Sequence, residues 1–176
     1  NNKGTVAIVG RSIRLPKIGY VDCRISKQVK GDILSATVRQ SKSGKYFVSI
    51  CCKNVELEPM PTTSSVVGID LGLKDLAITS DGEKFDNPRT YIKNQKKLAR
   101  LQKQLSRKTK GSKNREKAKL RVARLHERIV NQRKDVIHKM TTTLVKENDV
   151  ICMENLSVKN MVKNHKLAKS IMDASW

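Results

Sequence analysis

The stretch Val66-Val67-Gly68-Ile69-Asp70-Leu71-Gly72-Leu73 sets one acidic residue inside an apolar, glycine-containing run. Four apolar residues likewise lead into Glu154 in the stretch Val150-Ile151-Cys152-Met153-Glu154-Asn155. An uncompensated carboxylate in a buried strand costs several kcal/mol, so it must be neutralised, paired or bound to a cation. If the two strands lie side by side in a sheet, Asp70 and Glu154 meet at one edge. Two convergent carboxylates there suit a hard Mg²⁺ or Mn²⁺ ion.

The charge of the chain is strongly basic and unevenly distributed. It has 37 Lys and Arg against 16 Asp and Glu, a formal net charge of +21 over 176 residues. Residues 89–134 hold 18 basic and 2 acidic residues, whereas residues 62–88 hold 2 basic and 5 acidic residues. A solvated helical face is the alternative interpretation, but such helices usually pair acids with bases one turn apart. The shortage of acids favours a polyanionic partner, and nucleic acid fits best.

The cysteines and the hydropathy indicate the cellular location. Cys23, Cys51, Cys52 and Cys152 lack the paired spacing of a zinc site, so they are predicted to be reduced core thiols in a cytosolic protein. No apolar run of about 18 residues occurs, so we expect no membrane partner and a cytoplasmic location. The sequence starts without an initiator Met and stops abruptly, so we expect it to be a piece of a longer protein.

Residues 1–61 are predicted to form a small domain of short strands. Glycine and proline breakers separate β-rich runs. The predicted strands are Thr5–Val9, Tyr20–Ile25, Ile33–Val38 and Tyr46–Cys52. Ser43-Gly44 is a hairpin turn between the last two. This pattern predicts a small β-barrel or sheet, and the polar linker Glu56–Ser65 marks its boundary with a second domain over residues 62–176.

The second domain is predicted to have the order strand, strand, strand, helices, strand. After the Asp70 strand, the runs Leu76–Thr79 and Lys84–Phe85 flank a tight turn. Acids on the first and fourth strands describe the ribonuclease-H-like α/β fold, in which two divalent ions bridge carboxylates and a scissile phosphate. A third acid is normally needed to hold both ions. Asp173 has no strand before it, so the chain is expected to be catalytically incomplete.

A long helical hairpin is predicted between the third and fourth strands, at about residues 88–146. Asn87 is the expected N-cap, and Pro88 fits the first turn. Apolar stripes at spacings of 3, 4 and 7 predict two antiparallel helices on either side of the polar loop Ser106–Asn114. The cations predicted to contact nucleic acid are Arg100, Lys103, Arg107, Lys108, Lys110, Lys113, Arg115, Lys117, Arg121, Arg124 and Arg128.

Four collinear motifs resemble the TnpB (OrfB-type) family, which bacterial insertion sequences encode and which is related to type V CRISPR effector nucleases. These motifs are Val67–Gly72, Leu105–Arg115, Leu125–Asp135 and Glu154–Met161. The resemblance runs through essentially all of residues 60–176. Residues 1–58 resemble the β-barrel (wedge) domain that precedes the nuclease domain of this family.

The resemblance implies an RNA-guided DNA endonuclease of the prokaryotic cytosol and nucleoid, with guide RNA and target DNA as partners. Its active site would be RuvC-like and dependent on Mg²⁺ or Mn²⁺. Asp70 and Glu154 would be the catalytic and metal-binding residues that this sequence supplies. The third catalytic Asp of the family and its Cys₄ zinc ribbon match no part of the sequence, so no zinc site is expected here.

Two other functions stay open at this point. One is a non-enzymatic nucleic-acid-binding module, which needs the cations but no metal site. The other is an actin-like or sugar-kinase ATPase, because Gly68–Gly72 also resembles the first phosphate motif of that superfamily. That motif normally continues with Thr or Ser, and here the next residues are Leu73, Lys74 and Asp75.

Overall fold

The computed structural model describes residues 5–176. Over these residues the chain is a mixed α/β protein that divides into two compact units between Pro59 and Met60. The strands are β1 (Ala7–Val9), β2 (Ser12–Leu15), β3 (Gly19–Asp22), β4 (Asp32–Gln40), β5 (Tyr46–Lys53), β6 (Val66–Asp70), β7 (Asp75–Thr79), β8 (Lys84–Asp86) and β9 (Val150–Met153). The helices are α1 (Thr90–Ser106), α2 (Lys113–Glu147), α3 (Val158–Met161) and α4 (Ala168–Ala174).

The first unit contains two antiparallel sheets that share one core. β1, β2 and β3 form a three-stranded sheet, and β4 and β5 form a long hairpin. The buried side chains of Val6, Ile13 and Leu15 lie against Ile33 and Val48 of the hairpin. Each sheet therefore buries one face against the other, because neither is large enough to form a core alone.

The predicted β-barrel is wrong for this unit, since no closed barrel forms among residues 5–59. Residues 23–31 contain no strand, and no strand of the first sheet pairs with β4 or β5. The sequence also did not indicate β2, whose four residues lie between the breakers Gly10 and Pro16. The first four residues of the predicted domain lie outside the described part of the chain.

The second unit is built on a four-stranded sheet in the order β8-β7-β6-β9. β6, β7 and β8 are consecutive antiparallel strands, as the sequence predicted, and β9 pairs with the other side of β6 in parallel. A parallel pair needs a long crossover between its strands. α1 and α2 supply that crossover, since they lie between β8 and β9 in the chain.

One face of this sheet packs against α2 and α4. Val67 of β6 is buried in a cluster with Met140 of α2 and Ala174 of α4. On the opposite face, Val66 is 62% exposed and Val150 is 48% exposed. The sheet is therefore covered on one side by the described residues, and the ends of β6 and β9 open to solvent on the other.

α1 and α2 form the predicted antiparallel hairpin around a turn at residues 107–112. Leu98 is buried against Leu125 and Ile129 in the first half of α2, whereas Met140 in its second half faces the sheet. One apolar stripe along α2 thus serves two cores in succession. Although α2 is 35 residues long, no helix in the described chain has the apolar length needed to cross a membrane.

The predicted start of the first helix is wrong. α1 begins at Thr90, and its N-cap residue Arg89 has a left-handed φ of 45° and makes no side-chain cap. Asn87 instead accepts a hydrogen bond from the backbone N–H of Arg89 at 3.0 Å, and its amide donates to the Leu73 carbonyl at 2.9 Å. The first-turn N–H groups of α1 must therefore find an acceptor elsewhere.

The cysteines are free thiols, but two of them are not in a core. Cys51 and Cys152 are exposed, and Cys23 and Cys52 are half-buried. Cys152 is exposed because it lies on the uncovered face of β9. The prediction of core thiols is therefore wrong for these two residues.

Candidate functional site

Asp70 and Glu154 lie at the ends of two neighbouring parallel strands. The paired Cα positions of β6 and β9 advance together as far as Ile69 with Met153. Asp70 follows Ile69, and Glu154 follows Met153. The parallel register therefore carries both carboxylates to the same edge of the sheet, although 84 positions separate them in the chain.

Asp70 belongs to the uncovered face of the sheet, and Glu154 follows the end of β9 at the same edge. Side chains alternate between the two faces of a strand, and Val67 and Ile69 are buried whereas Val66 and Asp70 are exposed. Glu154 is exposed as well. Asp70 is therefore not desolvated, contrary to the prediction that it lies in a buried strand. Its candidacy rests instead on its place beside Glu154.

The carboxylate pair has the right donor type for a hard divalent cation. Mg²⁺ prefers oxygen ligands and keeps several waters when one or two protein carboxylates hold it. Within residues 5–176 there is no cluster of three Asp, Glu, His or Cys side chains that would hold a metal ion. The sheet edge thus offers two exposed carboxylates, and no third acid of the described chain lies close enough to complete a metal-binding cluster.

Asp173 is held in a structural role. Its side chain is 1% exposed, and it accepts hydrogen bonds from the backbone N–H groups of Tyr91 at 2.8 Å and Ile92 at 3.0 Å. Arg133 donates two further bonds to it, at 2.7 and 3.2 Å. The carboxylate thereby caps the start of α1 from α4, where the positive end of the helix dipole favours an anion. This engagement leaves Asp173 unsuited to a metal site.

Asp149 fixes the point at which β6 and β9 come together. Its carboxylate accepts hydrogen bonds from the backbone N–H groups of Thr63 at 3.0 Å and Ser64 at 2.7 Å. These bonds hold the pKa of Asp149 below its ordinary value of 3.8. The N–H groups of Asp149 and Val150 in turn donate to the Ser65 carbonyl at 3.0 and 3.2 Å. We call these hydrogen bonds the Asp149 clamp. They fix where the pairing of β6 with β9 begins, and that register decides which residues of the two strands lie side by side at the far end.

The cations predicted to contact nucleic acid lie on the hairpin, and most of them face solvent. Arg115 is half-buried, and its Nη1 donates to the carbonyls of Leu105 at 3.1 Å and Lys108 at 2.9 Å, so it ties the two helices together across the turn. The other ten are exposed: Arg100, Lys103, Arg107, Lys108, Lys110, Lys113, Lys117, Arg121, Arg124 and Arg128. None of these ten side chains forms an ion pair with a described residue.

The sequence did not single out Asp149 or Arg133. The polar run Thr62–Ser65 before β6 was the available signal for Asp149, since its backbone N–H groups need acceptors. Nothing local separates Arg133 from the other cations of residues 89–134. Only the fold brings it to Asp173.

The fold and the site define an α/β protein in which an acidic strand edge and a cationic helical hairpin share one unit. The chain belongs to the OrfB_IS605 family, described as "Probable transposase", whose model matches residues 49–165. This confirms the resemblance to the OrfB-type family.

Two relatives extend the comparison. The chain is 44% identical over 142 residues to a "Putative RNA-guided DNA endonuclease" of Streptomyces pristinaespiralis, which covers 81% of this chain and 35% of that protein. It is 41% identical over 179 residues to "Putative RNA-guided DNA endonuclease InsQ" of Escherichia coli (strain K12), which covers 93% of this chain and 44% of that protein. The chain therefore spans less than half the length of either relative.

Proposed function

We propose that this chain is the part of a transposon-encoded RNA-guided DNA endonuclease that carries two active-site carboxylates and a nucleic-acid-binding hairpin. The parallel pairing of β6 with β9 carries the proposal, because it sets Asp70 beside Glu154 at one edge. The names of the two relatives support the same activity. The order of the strands, with acids on the first and fourth, is the order we expect of a ribonuclease-H-like, RuvC-like domain.

Asp70 and Glu154 fit Mg²⁺ or Mn²⁺ in donor type, and they would hold it jointly. The bound ion supplies Lewis-acid activation of water and stabilisation of the leaving oxygen in phosphodiester cleavage. The chain itself keeps the two carboxylates side by side. The Asp149 clamp does this by fixing the register of β6 and β9 at the opposite end of the strands. Further oxygen ligands would come from water, from the substrate phosphate or from residues other than those described.

The hairpin is the nucleic-acid-binding element in this proposal. Residues 89–134 carry 18 basic and 2 acidic residues, so their net charge is +16. Phosphates supply the missing counter-charge and release bound counter-ions, which favours association. Guide RNA and target DNA are the two polyanions expected in the prokaryotic cytosol and nucleoid. Since base pairing with the guide reads the sequence, the protein needs mainly backbone contacts.

Manganese titration of the 176-residue chain tests the carboxylate pair. We expect weak but measurable binding of Mn²⁺ by calorimetry, because only two protein carboxylates contribute ligands. Asp70→Asn and Glu154→Gln should each abolish the measurable heat. Asp81→Asn combined with Glu83→Gln removes two exposed carboxylates from the β7–β8 turn and is the matched control. Binding that survives both site substitutions would overturn the assignment.

Cleavage by the full-length protein that contains this chain gives the second test. We expect Asp70→Asn or Glu154→Gln to abolish Mg²⁺-dependent DNA cleavage while guide RNA binding persists, because neither residue lies on the cationic hairpin. Retained cleavage in either variant would remove that residue from the active site.

A non-enzymatic nucleic-acid-binding module is the second candidate for the chain by itself. The lack of a three-ligand cluster among residues 5–176 favours it. Such a module binds nucleic acid with a steep salt dependence but gives no heat with Mn²⁺. The same calorimetric titration therefore separates the two functions.

A further inference from the structure

A cleft of about 420 Å³ lies between the two helices of the hairpin, near its turn. Gln104 lines it from α1, Lys108 from the turn, and Asn114, Lys117 and Arg121 from α2. Ligand pockets in proteins range from about 300 to 1,000 Å³. The cleft is therefore large enough for one nucleotide and too small for a duplex.

The cations of the cleft converge from the turn and from α2. Lys108 follows the end of α1, and Lys117 and Arg121 lie one helical turn apart on α2. All three side chains are exposed, and none forms an ion pair with a residue that the structure describes. Three cations around one small cleft provide a site for phosphate oxygens.

The cleft also contains groups that phosphate binding does not need. Gln104 and Asn114 bring one amide from each helix, and neither side chain has a hydrogen-bond partner within residues 5–176. Each amide offers both donors and an acceptor, which is what recognition of a base edge requires. Half-buried Leu101 and Ala118 give an apolar floor against which a base or ribose would pack.

We propose that this cleft binds one unpaired nucleotide of a single-stranded nucleic acid, with the cations on its phosphates and the two amides on its base. The proposal rests on the proposed function in one respect, namely that the hairpin contacts nucleic acid. A duplex satisfies the cations through its backbone but keeps its base edges within its grooves. An unpaired nucleotide presents both phosphate and base, as single-stranded RNA does to many proteins.

Fluorescence anisotropy with the 176-residue chain tests the proposal. The probes are a labelled single-stranded RNA, a single-stranded DNA of the same sequence, and a duplex DNA. Gln104→Ala combined with Asn114→Ala should weaken single-strand binding about tenfold, since two hydrogen bonds are lost, and should leave duplex binding unchanged. Because no charge is removed, the salt dependence should keep its slope. A loss on RNA alone or on DNA alone identifies which single strand the cleft takes.

The matched control is Gln102→Ala combined with Asn131→Ala, which removes two exposed amides from the same helices outside the cleft. We expect less than about a twofold change for every probe. Ala118→Leu provides a second variant, because it fills the floor with a strong helix former and should reduce single-strand binding selectively. Circular dichroism checks that the hairpin of each variant remains helical.

The outcomes separate this proposal from the proposed function. Unchanged single-strand affinity in the Gln104/Asn114 variant would overturn the nucleotide cleft while leaving the hairpin as a phosphate-binding element. Equal losses on single strand and duplex would overturn it too, since the cleft would then add only general affinity. If the parent chain binds none of the probes, the proposed function of the hairpin fails instead.

Discussion

The two ends of the α1–α2 hairpin differ in how their charges are paired. We call the end that holds Tyr91 and Arg133 the root and the end that holds the turn the tip. At the root, Arg133 is paired with the buried Asp173, which also caps the start of α1. At the tip, which we define as residues 100–128, eleven exposed cations have no ionic partner among the described residues. Basic side chains therefore anchor the hairpin where the fold supplies an acid, and they stay available to bind a polyanion where it does not.

The starts of the two helices show the same difference. α2 is capped locally, because the Ser112 hydroxyl accepts a hydrogen bond from the backbone N–H of Arg115 at 3.2 Å. α1 has no local side-chain cap and takes its acceptor from Asp173, 82 positions away from Tyr91. Damage at the root should therefore affect the whole unit, whereas damage at the tip should affect binding more than stability.

The largest effect is expected from Asp173→Ala. Removing this carboxylate leaves Arg133 and two first-turn N–H groups of α1 without their acceptor, and breaking such a buried pair costs about 3–5 kcal/mol. Urea unfolding followed by circular dichroism measures the loss. Asp135→Ala is the control, because it breaks only the exposed pair with Lys139 and should cost less than about 0.5 kcal/mol. Equal losses in the two variants would contradict the root as the anchor of the hairpin.

The second effect concerns the tip. Lys103→Gln, Arg124→Gln and Arg128→Gln together remove three exposed cations, so the slope of log affinity against log salt should fall by about 2 to 3. At 0.1 M salt this corresponds to a loss of about a hundredfold in affinity for duplex DNA, or about 2.7 kcal/mol. Anisotropy titrations over a range of salt concentrations provide both numbers.

The control for the tip removes the same charge from exposed positions nearer the root. Lys96→Gln, Lys134→Gln and Lys146→Gln also delete three cations. We expect a much smaller change in salt slope, because long-range charge is screened within about 8–10 Å at physiological salt. Equal effects of the two triple variants would show that total charge, and not the tip, controls binding.

Apart from β2, the strands and the helical hairpin were predictable because their signals are local. Hydrophobic periodicity indicated both long helices, and the apolar runs ending at Asp70 and Glu154 indicated the strands that the structure pairs in parallel. Turn residues located the β4–β5 hairpin at Ser43-Gly44, where Gly44 has a positive φ of 86°. These features depend on residues that are close in the chain, and the fold did not override them.

The other predictions that failed depend on contacts between residues that are distant in the chain. Asn87 has the composition of an N-cap, but a carboxylate from α4 takes that role and the chain before α1 turns differently. The exposure of Asp70 follows from the open face of the sheet, which no pattern within β6 reveals. The barrel prediction failed because strand composition does not determine which strands pair. The assignment of Asp70 and Glu154 as catalytic stays a prediction that the titrations above test.

A smaller effect is expected from Ser112→Ala at the tip. The substitution removes the cap of α2, which costs about 1 kcal/mol in typical helices. The loss should be well below that of Asp173→Ala, because the hairpin turn is also held by Arg115. Urea unfolding gives the stability, and Ser112→Asp should restore it because aspartate caps equally well. A loss as large as that of Asp173→Ala would erase the difference between tip and root.

The smallest effect is expected from Asp149→Ala, whose carboxylate is solvent-exposed, and its signature is a pH dependence. The hydrogen bonds from Thr63 and Ser64 lower the pKa of Asp149 in the folded state, so ionised Asp149 stabilises the fold at pH values above its ordinary 3.8. This contribution disappears as the pH falls through the lowered folded-state pKa. The difference in unfolding free energy between the parent chain and Asp149→Ala should therefore be constant near neutral pH and shrink under acid conditions. A difference in unfolding free energy that grows as the pH falls would contradict the Asp149 clamp. Amide exchange gives a second measurement. Faster exchange along β9 in the variant would show directly that Asp149 holds the register on which the Asp70–Glu154 pair depends.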